Sequence, residues 1–148
     1  MAIRVRQRLG KYRIDRRLGE GGFAVVYQAT DTIEGIRVAL KIPHPDAVTP
    51  DLLDRFRHEV RLAASLNHPN ILPLKNAEFI HGHFVVAFPL AETSLSDRLR
   101  RRITVPKALE ICEEMLMGVA HAHEHNVIHC DIKPENLLIA KDGTVMLT

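Results

Sequence analysis

Residues 11–41 alternate apolar and polar side chains, a pattern that predicts β-strands rather than helices. In KYRIDRRL the alternation is expected to place Tyr12, Ile14 and Leu18 on one face, and VVYQAT and IRVALKI follow as β-branched runs. The turn sequences GEGGFA and DTIEG separate the three runs. Short strands bounded by such turns predict an antiparallel meander.

A helical period begins after the loop PHPDAVTP. Thr49 and Pro50 suit the N-cap and the first position of a helix that should run to about Leu66. ILPLKNAEFIHGHFVVAFPL then predicts two short strands around a His-Gly turn. The apolar stripe expected on the helix is Leu52, Phe56, Val60 and Ala63.

The last third of the chain is expected to be mainly helical. TSLSDRLRRR favours a short helix capped by Thr93 or Ser94, and a long helix should run from Pro106 to about His125. A closing hairpin is expected to turn at residues 141–143. The stripe expected on the long helix is Ala108, Leu109, Cys112, Met115, Leu116, Val119 and Ala120.

Charge and cysteine content exclude several classes of function. The 148 residues include 20 Lys+Arg and 18 Asp+Glu, and a net charge of +2 gives no whole-chain argument for nucleic acid or anionic membrane as a partner. The arginine-rich start is interpreted as a solvated strand face or an arm. Cys112 and Cys130 are interpreted as reduced thiols in a cytoplasmic setting, and no apolar run is long enough to span a membrane.

The segment LGEGGFAVVY is a candidate phosphate-binding hairpin. Gly19, Gly21 and Gly22 would let backbone N–H groups approach a phosphate without a Cβ in the way. No Gly-Lys-Ser/Thr follows, as a P-loop requires, and the next residues favour a strand instead of the helix of a dinucleotide fold. A plain β-turn explains the glycines equally well.

Lys41 ends the apolar run VALK, and burying a lone lysine costs free energy unless anions surround it. A phosphate under the glycine hairpin and the carboxylate of Glu59, at the edge of the first helix's stripe, would both serve. The alternative is a lysine whose ammonium reaches solvent at the sheet edge.

HCDIKPENLL brings three chemical groups close together. Asp131 can accept the proton of an attacking hydroxyl, Lys133 can neutralise charge on a transferred group, and Asn136 offers a neutral oxygen to Mg²⁺. An Asx-turn loop with a solvent-exposed lysine is the structural alternative.

Taken in order, these segments resemble the catalytic domain of a eukaryotic-type serine/threonine protein kinase. GEGGFAVV is similar to the glycine-rich loop, VALK to the strand with the phosphate lysine, and Glu59 with NHPNI to the helix and its exit. HCDIKPENLL is similar to the catalytic loop, and its lysine followed by Pro-Glu-Asn is typical of serine/threonine kinases.

The resemblance implies an α+β, protein-kinase-like fold. An N-terminal arm would occupy residues 1–10. A small lobe, an antiparallel sheet with one helix, would occupy 11–90, and the first helices and catalytic loop of the helical lobe would occupy 91–148. ATP and Mg²⁺ would bind in the cleft, and a serine or threonine hydroxyl of a protein would accept the phosphoryl group.

The resemblance also assigns roles to individual residues. Lys41, paired with Glu59, would hold the α- and β-phosphates under Gly19, Gly21 and Gly22. Asp131 would act as the base beside Lys133, and Asn136 would bind Mg²⁺. The adenine would lie among Leu18, Val26, Ala39 and Leu138, with its edge on the backbone of Phe88, Pro89 and Leu90.

Three departures from the family pattern limit what the resemblance implies. Ala24 replaces the third glycine of the loop, and Cys130 replaces the catalytic-loop arginine that meets a phosphorylated activation loop, so control by such phosphorylation is not expected. The sequence stops at TVMLT, before an Asp-Phe-Gly. We therefore expect a truncated domain that is inactive alone and can self-associate through exposed apolar surface of the helical lobe.

Two other functions fit parts of the sequence. A pseudokinase or a truncated nucleotide-binding module would act by association, without phosphoryl transfer. A zinc site is the second alternative, because His121 and His125 are four residues apart and would share a helix face. Solvated histidines at a helix end explain that pair without a metal.

Overall fold

The computed structural model of the protein describes residues 3–44 and 49–148. The chain divides into two units. Unit 1 comprises Met1–Arg61 and Leu74–Leu90, and unit 2 comprises Leu62–Pro73 and Ala91–Thr148. The resemblance assigns residues 62–73 to the small lobe, whereas in the structure this segment belongs to unit 2.

Unit 1 is built on a six-stranded antiparallel sheet with strand order β1-β2-β3-β4-β6-β5. Helix α1 (Pro50–Ser65) begins at the predicted proline. The predicted meander and the His-Gly hairpin are confirmed, and His81 and Gly82 have the positive φ angles (49° and 80°) of a tight hairpin turn. The strands are β1 (Arg8–Leu9), β2 (Tyr12–Glu20), β3 (Ala24–Asp31), β4 (Ile36–Pro43), β5 (Asn76–Ile80) and β6 (His83–Pro89).

Alternation along β4 separates the two faces of this sheet. Val38, Leu40 and Ile42 are buried in one hydrophobic core with residues of β1, β2 and β3. On the opposite face, Phe56 of α1 is buried and packs edge to face on Phe84, with ring centroids 6.2 Å apart. Helix α1 is thereby anchored by its apolar side to unit 1.

Leu18 does not join Tyr12 and Ile14 in the core, contrary to the simple alternation. Register shifts occur between Ile14 and Arg16 and between Arg17 and Gly19. Each shift interrupts the two-residue period. Leu18 is consequently 39% exposed, whereas Tyr12 and Ile14 are fully buried.

Unit 2 packs a long helix against short strands. Helix α2 (Leu95–Arg98) is capped by Ser94, and α3 (Val105–Glu124) is capped by Thr104. The predicted closing hairpin is confirmed, with strand order β7-β8-β9. The strands are β7 (Thr93–Ser94), β8 (Leu137–Ile139) and β9 (Val145–Leu147), with a 3₁₀ turn at Pro134–Asn136 before β8.

The stripe predicted for α3 is partly wrong. Leu109 and Leu116 are 64% and 59% exposed, and Cys112 and Ala120 are also exposed. Ile111, Gly118 and Ala122 are the buried positions of the helix. Helix α3 has apolar residues on most of its own sides, so the periodicity of the sequence did not identify which side faces inward. In the described part of the chain, no helix is long and apolar enough to cross a bilayer.

Asn70 joins the separate segments of unit 2. Its Nδ2 donates to Glu114 Oε2 at 3.0 Å and to the carbonyl of Val145 at 2.9 Å. Its own carbonyl accepts the N–H of Leu147 at 2.9 Å. A Cβ on Gly118 would lie 2.5 Å from this carbonyl oxygen, so α3 approaches the Asn70 backbone where it has no side chain.

Substitution Gly118→Ala should therefore destabilise the protein although it improves helix propensity. Overpacking against a fixed backbone costs about 3 kcal/mol, and alanine regains about 1 kcal/mol, so we expect a net loss of about 2 kcal/mol in urea denaturation. Ala120→Gly on the exposed side of α3 is the control for propensity, with an expected loss of about 1 kcal/mol. A Gly118→Ala protein as stable as wild type, or more stable, would contradict the close contact.

Candidate functional site

A cavity of about 320 Å³ lies beneath the β2–β3 turn in unit 1. Five of the residues singled out from the sequence line it, namely Gly21, Gly22, Val26, Lys41 and Glu59. Four further residues line it that were not predicted as site residues, namely Phe23, Ala24, Arg55 and Phe56.

Gly19, near the end of β2, and Gly22, in the β2–β3 turn, are not required by backbone angle or by packing. Gly19 and Gly22 lack positive φ angles, and a Cβ on either would meet no atom within 4 Å. The turn is closed instead by hydrogen bonds, from Gly21 N–H to the Ala24 carbonyl and from His44 N–H to the Phe23 carbonyl. Glycines that packing does not require leave the backbone N–H groups accessible, which suits the close approach of a ligand.

Lys41 and Glu59 are brought together at this cavity. Lys41 Nζ donates to Glu59 Oε1 from β4 to α1, and the Nζ lies 5.4 Å from the centre of the Phe56 ring. The lysine is half-buried and paired, so the alternative of an ammonium reaching solvent at the sheet edge does not describe it. Its charge is held next to the glycine turn.

The residues expected around an adenine are only partly grouped. Cross-strand pairing sets Val26 opposite Lys41 and Ala39 opposite Phe88, so Val26, Ala39 and Phe88 share the sheet face of Lys41. Leu18 is exposed in β2, and Leu90 is half-buried just after β6. Leu138 lies in β8 of unit 2 and is half-buried there.

Arg55 is a lining residue that was not predicted from the sequence. It precedes Glu59 by four positions, so the two side chains lie on the same face of α1. Arg55 is not part of the apolar stripe of α1, and its residue type alone does not distinguish it from other exposed arginines.

Asp131, Lys133 and Asn136 are brought together in unit 2. Lys133 Nζ lies 2.8 Å from Asp131 Oδ2, and Asn136 Nδ2 donates to the same oxygen and to the Asp131 carbonyl, both at 2.9 Å. The hydrogen bond from Lys133, helped by that from Asn136, lowers the pKa of Asp131. The carboxylate therefore remains ionised at neutral pH and can accept a hydrogen bond.

The orientation of Asn136 determines which of its atoms is available. Because Nδ2 donates to Asp131, the side-chain Oδ1 is left as an acceptor. Thr148 N–H donates to the Asn136 carbonyl at 3.0 Å, and the Thr148 carbonyl lies 2.7 Å from His129 Nε2. His129 Nδ1 in turn accepts the N–H of Asp131 at 3.2 Å. The segment is thus fixed at both ends.

Cys130 occupies a backbone conformation that non-glycine residues rarely adopt, with φ of 63°. Its Sγ lies 3.6 Å from the Ile128 carbonyl, and the residue is exposed. The resemblance implies an arginine at this position, and a thiol cannot pair with a phosphate as an arginine would.

The histidines considered for zinc form a stack of rings. His68 and His121 have ring centroids 4.9 Å apart, and His121 and His125 have centroids 4.3 Å apart. His125 Nδ1 lies 2.8 Å from the His121 carbonyl. Across residues 3–44 and 49–148, no group of three or more His, Cys, Asp or Glu side chains is arranged to hold a metal ion.

The family to which the chain belongs follows from comparison with a family model. The family described as "Protein kinase domain" matches residues 12–148, so the chain belongs to this family.

Curated proteins similar to this chain carry the name serine/threonine-protein kinase. The chain is 35% identical over 143 residues to "Probable serine/threonine-protein kinase PknB" of Lactococcus lactis, covering 93% of this chain and 23% of the relative. It is 36% identical to "Probable serine/threonine-protein kinase pknA2" of Bifidobacterium longum, over 94% of this chain and 19% of the relative. It is 34% identical to "Serine/threonine-protein kinase PrkC" of Bacillus subtilis, over 94% and 22% respectively. The chain thus spans about a fifth of the length of these relatives.

Proposed function

We propose that this chain binds ATP with Mg²⁺ and belongs to an enzyme that transfers the γ-phosphoryl group to a serine or threonine hydroxyl of a protein. The observation that carries the proposal is the Lys41–Glu59 ion pair beside the glycine-rich turn. Lys41 supplies positive charge, the turn supplies bare backbone, and together they suit a polyphosphate.

The transfer step uses the residues of unit 2. Asp131 orients the substrate hydroxyl and accepts its proton as the new oxygen–phosphorus bond forms and the bond to ADP breaks. Lys133 neutralises negative charge that develops on the transferred group. The lowered pKa of Asp131 keeps the carboxylate ready to accept a hydrogen bond from the hydroxyl.

Asn136 fits a role as magnesium ligand. Its Oδ1 is a neutral oxygen of the kind that Mg²⁺ accepts, and its Nδ2 is already held by Asp131. Mg²⁺ usually keeps several waters and takes oxygens from substrate phosphates, so one protein ligand from this segment is compatible with binding. Bound there, the ion would neutralise phosphate charge.

Partners and location follow from the same chemistry. We propose a cytoplasmic setting, where ATP is available and the exposed thiols Cys112 and Cys130 stay reduced. The protein substrate is proposed to present a serine or threonine. Self-association is proposed to use exposed apolar residues of α3, which are Val105, Leu109, Leu116 and Met117.

A binding module without phosphoryl transfer is the alternative function. Cys130 favours this alternative, because it stands where the resemblance implies a regulatory arginine. Both functions require the nucleotide site, and only the enzyme requires Asp131.

Calorimetric titration of the 148-residue chain with ATP and Mg²⁺ tests the shared part of the proposal. We expect Lys41→Met to weaken ATP binding at least about tenfold, roughly the loss of one charge-assisted hydrogen bond. Methionine retains much of the apolar stem against Phe56, so the fold should persist.

Lys75→Met is the matched control for this titration. Lys75 also pairs with a glutamate, its Nζ lying 2.7 Å from Glu34 Oε2, but it does not line the cavity. Its removal should leave ATP affinity unchanged. Absence of ATP binding by the wild type, or equal losses in both variants, would refute the nucleotide site.

A further inference from the structure

We propose that Arg55 is a second phosphate-binding residue of the nucleotide site, contacting the terminal phosphates of a nucleoside triphosphate. The inference rests on the proposed function and extends it by a residue on α1. Arg55 and Lys41 come from different elements of unit 1, yet both line the cavity beneath the glycine-rich turn.

The position of Arg55 is set by two better-fixed neighbours. Phe56, the next residue, is only 5% exposed and anchors this turn of α1 to the sheet. Glu59, one turn later on the same face, is tied to Lys41. Arg55 is exposed, but its Cα is fixed next to the cavity and only the side chain is free to adjust to a ligand.

The charge of Arg55 is not neutralised within the described structure. It makes no ion pair with residues 3–44 or 49–148, and Glu59, its only acidic neighbour in the cavity lining, is engaged by Lys41. The lining therefore carries two cations and one anion. This excess of positive charge suits a ligand with several negative charges, since a guanidinium can bind two phosphate oxygens at once.

Arg57 shows what an arginine without this role looks like on the same helix. Arg57 Nη1 lies 2.8 Å from Asp54 Oδ1, and its guanidinium lies 5.9 Å from the centre of the Phe79 ring. It does not line the cavity. Two exposed arginines, two positions apart, thus differ in both pairing and surroundings.

The contribution of Arg55 should depend on the number of phosphates in the ligand. Lys41 is held by Glu59 next to the glycine turn, whereas Arg55 can extend from the helix towards more distant phosphate oxygens. Arg55 should therefore contribute most to ATP binding, less to ADP binding, and nothing to adenosine binding.

Titration of the Arg55→Gln and Arg57→Gln chains with ATP, ADP and adenosine in the presence of Mg²⁺ tests the inference. We expect Arg55→Gln to weaken ATP binding about five- to tenfold, and to leave adenosine affinity and the melting temperature of the free protein unchanged. Arg57→Gln should match the wild type with every ligand. Arg55→Lys, which keeps the charge without the fork of donors, should give an intermediate affinity.

Several outcomes would overturn the inference. If Arg55→Gln binds ATP as tightly as the wild type, or if Arg57→Gln loses as much affinity, Arg55 does not contact the nucleotide. In that case a weaker binding of ATP by Lys41→Met would still support the nucleotide site. An equal loss for adenosine would assign Arg55 to another part of the ligand. No ATP binding by the wild type would refute the inference together with the proposed function.

Discussion

Replacement of Asp31 by alanine is expected to lower the free energy of unfolding by about 3 kcal/mol, because it removes a buried acceptor from Lys11 and from two backbone N–H groups. The Asp31 side chain is fully buried, and its Oδ2 lies 2.8 Å from Lys11 Nζ. Its Oδ1 accepts the N–H groups of Ile33 and Glu34 at 3.0 and 3.1 Å, so the residue also closes the β3–β4 turn. Urea denaturation at pH 7 measures the loss.

Two further variants separate the contributions of Asp31. Glu34→Ala removes the more exposed acid of the same network, which pairs with Lys11 and Lys75, and should cost no more than about 1 kcal/mol. Asp31→Asn keeps an acceptor for the turn but loses the charge, so its stability should fall between those of the other two variants. An Asp31→Ala loss as small as that of Glu34→Ala would show that the buried pair is unimportant.

The ion pair also predicts the direction of a pH effect. Burial alone would raise the pKa of Asp31, but hydrogen bonds from Lys11 and from backbone N–H groups outweigh it and lower the pKa to about 2. In the unfolded chain the pKa is about 3.9. Ionised Asp31 therefore stabilises the fold fully above about pH 5, and this stabilisation is lost as the pH falls through the folded-state pKa of about 2. Asp31→Asn should lack this part of the acid destabilisation when wild type and variant are unfolded at a series of pH values.

The second large effect concerns catalysis. In a phosphoryl-transferring polypeptide that contains this chain, we expect Asp131→Asn to lower kcat about 10²- to 10⁴-fold, the range associated with loss of a general base. Asparagine can still accept a hydrogen bond from Lys133, but it cannot take the proton of the hydroxyl. ATP affinity should change little, so steady-state kinetics should assign the loss to kcat rather than to the KM for ATP.

Asp142→Asn provides the matched control for Asp131. Asp142 is also exposed in unit 2, where its Oδ1 accepts the N–H of Thr144 in the β8–β9 turn at 3.0 Å. Its substitution should leave the rate unchanged. Full activity of Asp131→Asn would exclude the proposed base. A wild type that binds ATP and transfers no phosphate would favour the binding-module alternative.

Local patterns predicted the elements of this fold better than their inward faces. Alternation and turn residues were sufficient for β2 to β6 because each strand pairs with a close neighbour in sequence or follows a recognisable turn. In α3, by contrast, the inward face is chosen by contacts with Asn70 and β9, which lie far away in sequence. Leu109 and Leu116 were therefore misassigned, and Gly118 was overlooked.

The parts of the candidate site that could be predicted are those in which chemically suitable residues lie close together in the sequence. Asp131, Lys133 and Asn136 lie within six residues, and the structure joins them by hydrogen bonds. Glu59 was predicted as the partner of Lys41 because it stands at the edge of a helical stripe. Arg55 carries no such local signal, since an exposed arginine on a helix looks the same in sequence whether it faces solvent or a cavity.

The contacts within unit 2 join segments that are far apart in sequence, and this separation bears on the order of folding. Unit 2 combines Leu62–Pro73 with Ala91–Thr148, and Asn70 Nδ2 donates to the carbonyl of Val145, 75 positions away. Closing so long a loop costs conformational entropy before any contact repays it, whereas the Lys41–Glu59 pair closes a loop of only 18 positions. We therefore expect the phosphate cavity to assemble before the contact between Asn70 and β9, an order that pulse-labelling hydrogen exchange during refolding would test.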